Sequence, residues 1–119
     1  MQKFLLALFL SGLAGFALAT EGWLYQGSKP AAIIDVRSVD EFAAGHIEGA
    51  INIPVEQIAS GLQHIRSLNK DSTILLYCRS GRRAAAAQQL LEQQGYRKVV
   101  NGGGMDELKA QLAHPAGAD

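Results

Sequence analysis

Cys78 is the single cysteine of this 119-residue chain, and Arg79, Arg82 and Arg83 follow it within five positions. Residues 73–77 before it are a short run of Thr, Ile, Leu and Tyr, which reads as a buried strand. Residues 83–94 after it are rich in Ala, Gln, Leu and Glu, which are good helix formers. A thiol at a strand end that faces a helix start sits where open α/β sheets bind ligands. The turn would point successive backbone N–H groups inward as an anion nest, and the helix adds its positive end. Both effects favour Cys78 as a thiolate, the form of cysteine that acts as a nucleophile, beside a bound anion. Gly81 permits a backbone conformation that other residues resist.

The arginines sharpen this reading. Cations oppose the helix dipole at an N-terminus, yet Arg82 and Arg83 fall there. An anion in the loop would account for them. The plain alternatives are solvated surface arginines and a cysteine buried as a small hydrophobe. The strand-end position, with three arginines around one thiol, argues against both.

The elements that must position this loop alternate. Residues 32–36 form an apolar, β-branched run that predicts a buried strand. Ser38 and Glu41 have capping-box spacing, so a short helix is expected to start there and end near Gly45. Residues 50–53 predict a strand closed by Pro54, and Val55, Ile58, Leu62 and Ile65 have helical spacing. Gly95 is placed to cap the long helix. Residues 98–100 predict a last strand, 101–104 a glycine loop, 105–112 a final helix and 114–119 a frayed tail. Trp23, Leu24 and Tyr25 are expected to pack as a lid or short edge element. Strands that alternate with helices predict an α/β domain of three layers, a small parallel sheet with helices on both faces.

Composition bounds the class of function. The chain has 11 basic and 11 acidic residues, so nothing global points to nucleic acid or an anionic membrane. Residues 4–16 are almost unbroken apolar sequence, Lys3 precedes them, and Ala17 and Ala19 supply a small-x-small cleavage pattern. Residues 1–19 are therefore expected to be a cleaved signal peptide, and 20–119 a single domain with its core over about 30–112. The apolar stretch is short for a membrane span, so no stable anchor is expected after cleavage. Export implies a periplasmic or secreted protein in an oxidising compartment, where one cysteine cannot form an internal disulfide.

The residues also match a family. The loop Cys78-x-x-Gly81-x-Arg83 after an apolar strand resembles the active-site loop of rhodanese-like domains, the thiosulfate sulfurtransferases. Asp35-Val36-Arg37, then Glu41-Phe42, then the stretch from Gly45-His46-Ile47 to Pro54 resembles the family's amino-terminal signature. Gly95-Tyr96, Val99 and Gly103-Gly104 are a third match, so the resemblance covers about residues 30–112. The exported single-domain form is most similar to small periplasmic sulfurtransferases of the phage-shock type. The family often has a Trp after the glycine pair, where this chain has Met105.

The resemblance implies a rhodanese-like fold and covalent, ping-pong sulfur transfer. Cys78 would take the outer sulfur of a small anionic donor, thiosulfate or a polysulfide, and pass it to cyanide or a thiol. The N–H groups of Arg79, Ser80, Gly81, Arg82 and Arg83 would cradle the anion, and the three arginine side chains would attract and orient it. No metal or organic cofactor is implied. Asp35 and Arg37 would be structural, paired with each other or with nearby backbone. His46 is expected to hold the turn before Gly49; a Cys–His pair with Cys78 is the weaker reading.

Two other functions compete. Phosphate-binding cysteine loops of phosphatases and arsenate reductases place five residues between cysteine and arginine, and here that arginine position is Ala84. A sulfur carrier, redox sensor or partner-binding module with little turnover is the rival from another class, since fold alone does not fix function. The oligomeric state is not written in the sequence.

Overall fold

Strands that can be buried on both faces are what a helix-covered parallel sheet requires. The computed structural model describes residues 22–114, and the expected signal peptide lies outside them. The elements in chain order are β1 (Leu24–Tyr25), β2 (Ala32–Asp35), α1 (Val39–Ala44) and β3 (Ile51–Asn52), then α2 (Ile58–Gly61) between two 3-10 turns. They continue with β4 (Thr73–Cys78), α3 (Arg82–Gln93), β5 (Lys98–Gly104), α4 (Met105–Gln111) and β6 (Leu112–Ala113).

The main sheet has the order β3-β2-β4-β5, and its strands run parallel. β4 is central, with Leu76 opposite Ile34 of β2 and Asn101 of β5. Ile74, Leu75, Leu76, Tyr77 and Cys78 are all fully buried. The two-residue period of a strand sorts them by face. Ile74, Leu76 and Cys78 pack with Ala84, Ala87 and Leu91 of α3. Leu75 and Tyr77 pack on the other face with Ile47 and with Leu108 of α4. This is the three-layer α/β arrangement expected from the sequence.

Local signals explain the ends of the helices. Ser38 and Glu41 form the capping box at the start of α1. Past the end of α3, Gly95 N–H donates to Glu92 O and Tyr96 N–H to Leu91 O, the paired bonds of a glycine C-terminal cap.

Three expectations are corrected. Residues 55–64 are not one helix but a 3-10 turn, a single α-turn and another 3-10 turn. The spacing still works, because Ile58 and Leu62 are buried. Residues 101–104 are not a loop: they continue β5, with one extra residue opposite β4 between Leu76 and Cys78. The tail does not fray at His114. β6 pairs antiparallel with β1, and the His114 ring stacks on Trp23 at 4.4 Å. Trp23 and Tyr25 pack against the second face of the sheet, as expected.

Candidate active site

The apolar run of β4 ends on Cys78, and strand parity turns its side chain to the face covered by α3. The connection to α3 is only Arg79, Ser80 and Gly81. Gly81 has φ +93°, in the left-handed region that favours glycine. That conformation aims its N–H at the sulfur, and the Gly81 N to Cys78 Sγ distance is 2.8 Å. The first intrahelical bond of α3 runs from Ala85 N to Gly81 O. The N–H groups of Arg82, Arg83 and Ala84 therefore have no intrahelical acceptor. Donors and the positive end of a 12-residue helix converge above one thiol.

Neighbouring strands brace this loop. Asn101 Nδ2 donates to Gly81 O (3.0 Å), while Asn101 Oδ1 accepts from Gly103 N (2.8 Å). Gly104 abuts the carbonyl oxygen of Arg79 so closely that a Cβ there would overlap it. Glu107 Oε1 accepts the Gly104 N–H at 3.0 Å and holds that end of β5. Sequence reasoning missed Asn101. Its only signal is a polar residue between an apolar strand and a glycine run.

The arginines have different fates. Arg83 is gripped by Glu41, with Nη1 to Oε1 at 2.7 Å and Nη2 to Oε2 at 3.0 Å. Glu41 Oε1 also accepts from Ser38 N and Ser38 Oγ. The hydrogen bond from Arg83 is the largest of the forces that lower the Glu41 carboxyl from 4.5 to about 2. The same bond is the largest of the forces that raise the Arg83 guanidinium. Arg79 and Arg82 are exposed, as is Ser80. Arg79 borders a cleft of about 240 Å³ with Arg37, Glu41, Ala44, Met105 and Asp106.

The second signature forms a buried knot at the end of β2. Arg37 Nε and Nη2 clamp the Asp35 carboxylate at 2.7–3.1 Å, and Nη2 also donates to Gly45 O. This raises the Arg37 guanidinium, the hydrogen bond it donates to Asp35 leading. The guanidinium lies over the Tyr77 ring, 5.6 Å from its centroid. Tyr77 OH accepts from Ile47 N, and burial pushes the phenol up. Asp35 and Arg37 are thus paired with each other. His46 turns back onto α1, with Nδ1 donating to Phe42 O at 2.9 Å and its ring stacked on Phe42. Among the described residues, no group of three His, Cys, Asp or Glu side chains is placed to hold a metal.

The family profile for the rhodanese-like domain matches residues 19–111. The chain belongs to the rhodanese-like family. It is 31% identical over 108 residues to the thiosulfate sulfurtransferase PspE of Escherichia coli K12, covering 85% of this chain and 93% of that one. It is 38% identical over 85 residues to the human thiosulfate:glutathione sulfurtransferase, covering 62% and 74%. Among solved structures, a rhodanese with anions from E. coli superposes with a TM-score of 0.61 at 30% identity. That match covers 71% of this chain and 98% of the other. Asp35, Arg37, Glu41 and Cys78 thus gather at one end of the sheet, where β2 and β4 finish.

Proposed function

We propose that this rhodanese-like protein is a thiosulfate sulfurtransferase that works through a persulfide on Cys78. The family and its named relatives support sulfur transfer in general. The observation that carries the finer reading is the Gly81 N–H donated to Cys78 Sγ at 2.8 Å, beneath the start of α3. The Cys78 thiolate attacks the outer sulfur of thiosulfate. The S–S bond of the donor breaks, and sulfite leaves with the electron pair. The outer sulfur now sits on Cys78 as a persulfide, surrounded by the loop N–H groups. Cyanide or a thiol then attacks that sulfur, and Cys78 departs as thiolate. No metal or organic cofactor enters this scheme.

The N–H groups of Arg79 to Arg83, Ser80 and Gly81 included, serve as the anion cradle. Arg79 and Arg82 supply mobile positive charge. Arg83 acts differently from the sequence expectation: tied to Glu41, it holds the loop against α1 and contributes a fixed charge. Cys78 is fully buried, so a donor reaches the sulfur only when the loop yields. Residues 1–19 would export the chain, leaving 20–119 as one periplasmic or secreted domain.

The test is intact mass before and after incubation with thiosulfate, with Cys78→Ser as the blank. Wild type should gain one sulfur atom and lose it to cyanide. Steady-state transfer should fall by about 10³-fold or more in Cys78→Ser, the scale on which nucleophiles matter. Absence of a gain, with the thiol free to alkylation, would end the thiosulfate reading. A single loading without turnover would identify a sulfur carrier.

A further inference from the structure

The cleft beside the loop has a charge pattern that the transfer scheme leaves unused. Four charged side chains border it: Arg37, Glu41, Arg79 and Asp106. Two are consumed internally. Arg37 is clamped by Asp35 and Gly45 O, and Glu41 is held by Arg83 and Ser38. Arg79 and Asp106 are exposed, and neither has an ion-pair or hydrogen-bond partner among the described residues. One free cation and one free anion therefore face the same small space, floored by half-buried Met105.

The backbones that carry them meet behind the cleft, and both side chains are exposed. Gly104 lies against the Arg79 carbonyl, so the start of α4 is locked to the residue after the nucleophile. Glu107, the other acid in the first turn of α4, is occupied by Gly104 N–H. Asp106 is left to face outward. At about 240 Å³ the cleft is smaller than the roughly 300–1,000 Å³ of pockets for drug-sized ligands. It suits a molecule of amino-acid size.

We propose that this cleft is the acceptor subsite and that it selects small zwitterionic thiols. Arg79 takes the carboxylate of the acceptor and Asp106 takes its ammonium, which presents the thiol to the persulfide on Cys78. This rests on the sulfur-transfer reading above and adds the acceptor's class to it. The two uses of Arg79 do not collide, because in a ping-pong cycle sulfite has left before the acceptor arrives. Asp106 has no part in donor binding, since it would repel thiosulfate. The acceptor thiolate attacks the outer sulfur, the Cys78–sulfur bond breaks, and the acceptor leaves as a persulfide.

The experiment is a grid of acceptors against variants, read as the rate of persulfide discharge by preloaded full-length protein. Cysteine carries both charges, 3-mercaptopropionate the carboxylate alone, cysteamine the ammonium alone and 2-mercaptoethanol neither. Arg79→Gln should slow cysteine and 3-mercaptopropionate by about fivefold or more, the scale of one charge-assisted hydrogen bond. Asp106→Asn should slow cysteine and cysteamine by a similar factor. Discharge by 2-mercaptoethanol should stay within about twofold for Asp106→Asn, and for Arg79→Gln it is the baseline against which the slowing of the other three thiols is read. Equal slowing of all four thiols, or of none, would overturn the subsite.

A second arm does not depend on sulfur transfer. S-methylcysteine, titrated into the unloaded protein, should shift the amide signals of Arg79 and Asp106 saturably, and both variants should weaken that binding. Failure to load from thiosulfate, with S-methylcysteine still bound, would defeat the transfer scheme and leave the subsite standing. Absence of binding together with an unselective grid would defeat the subsite alone.

Discussion

The two ends of the sheet divide the molecule. At the amino-terminal ends of the strands lies the larger of the two clefts, about 570 Å³, bordered by Trp23, Pro30, Ala31, Ile51 and Thr73 among others, with Lys29 its one charged side chain among the described residues. At the carboxyl ends the cleft is less than half that size. Yet that end holds the thiol, the three arginines, two carboxylate–guanidinium pairs and the braced loop. Parallel strands all deliver their carboxyl ends to one side, where helix N-termini also converge, so anion chemistry gathers there. The comparison teaches that space alone does not mark a site. Convergent donors and titratable groups do.

Substitutions at the two ends should therefore differ sharply. The largest effect on stability is expected from Arg37→Met. It strands the fully buried Asp35 carboxylate without its guanidinium. Breaking a buried pair from one side costs about 3–5 kcal/mol. Denaturant titration would measure it, and a cost below about 1 kcal/mol would mean that the backbone N–H of residue 37, 2.9 Å from Asp35 Oδ1, suffices. Gly104→Ala comes next. The new Cβ meets the Arg79 carbonyl and must push the loop away, and a misplacement of that kind costs about 10²-fold in kcat/KM. Circular dichroism would check that the fold survives.

A smaller effect should follow acidification. The Glu41 carboxyl sits at about 2 in the folded chain against an ordinary 4.5. A depressed carboxyl stabilises the fold fully above the unfolded value. That stabilisation is lost as pH falls from 4.5 towards 2. Arg83 is 36% exposed and Glu41 28%, so solvent screening limits the loss to about 1 kcal/mol. Comparing wild type with Glu41→Gln at pH 7 and pH 3 isolates it: the gap should narrow at the lower pH. The smallest effect should come from the other end. Lys29→Gln, at the far end of the sheet from the thiol, should leave kcat/KM within about twofold. A large loss there would erase the contrast between the two ends.

Much of this was legible because local rules are strong. The apolar run before Cys78 could only be a strand buried on both faces. The Ser38–Glu41 spacing announced a helix start, and the box is present. Where sequence reasoning failed, a non-local contact had won. Glycines at 102–104 look like a breaker, but β4 pairs with Asn101 and Gly104 on either side of the extra residue, and the Arg79 carbonyl needs the room that Gly104 leaves. Residues 55–65 have helical spacing, but Pro54, Ser60 and Gly61 weaken the helix. A Cβ at position 61 would press on the side chain of Ile53. Packing keeps the buried positions while the hydrogen-bond pattern shifts to 3-10.

The sequence by itself determined the periodicities, the caps, the strand-end cysteine and its cluster of arginines. All of these depend on residues a few positions apart. Only the tertiary structure decided that Glu41 grips Arg83 across 42 positions, that Asn101 braces Gly81 from β5, and that Arg79 shares a cleft with Asp106. Those pairings depend on strand order and register. Spacing along the chain does not encode them, because they exist only once the helices have packed the strands into one sheet.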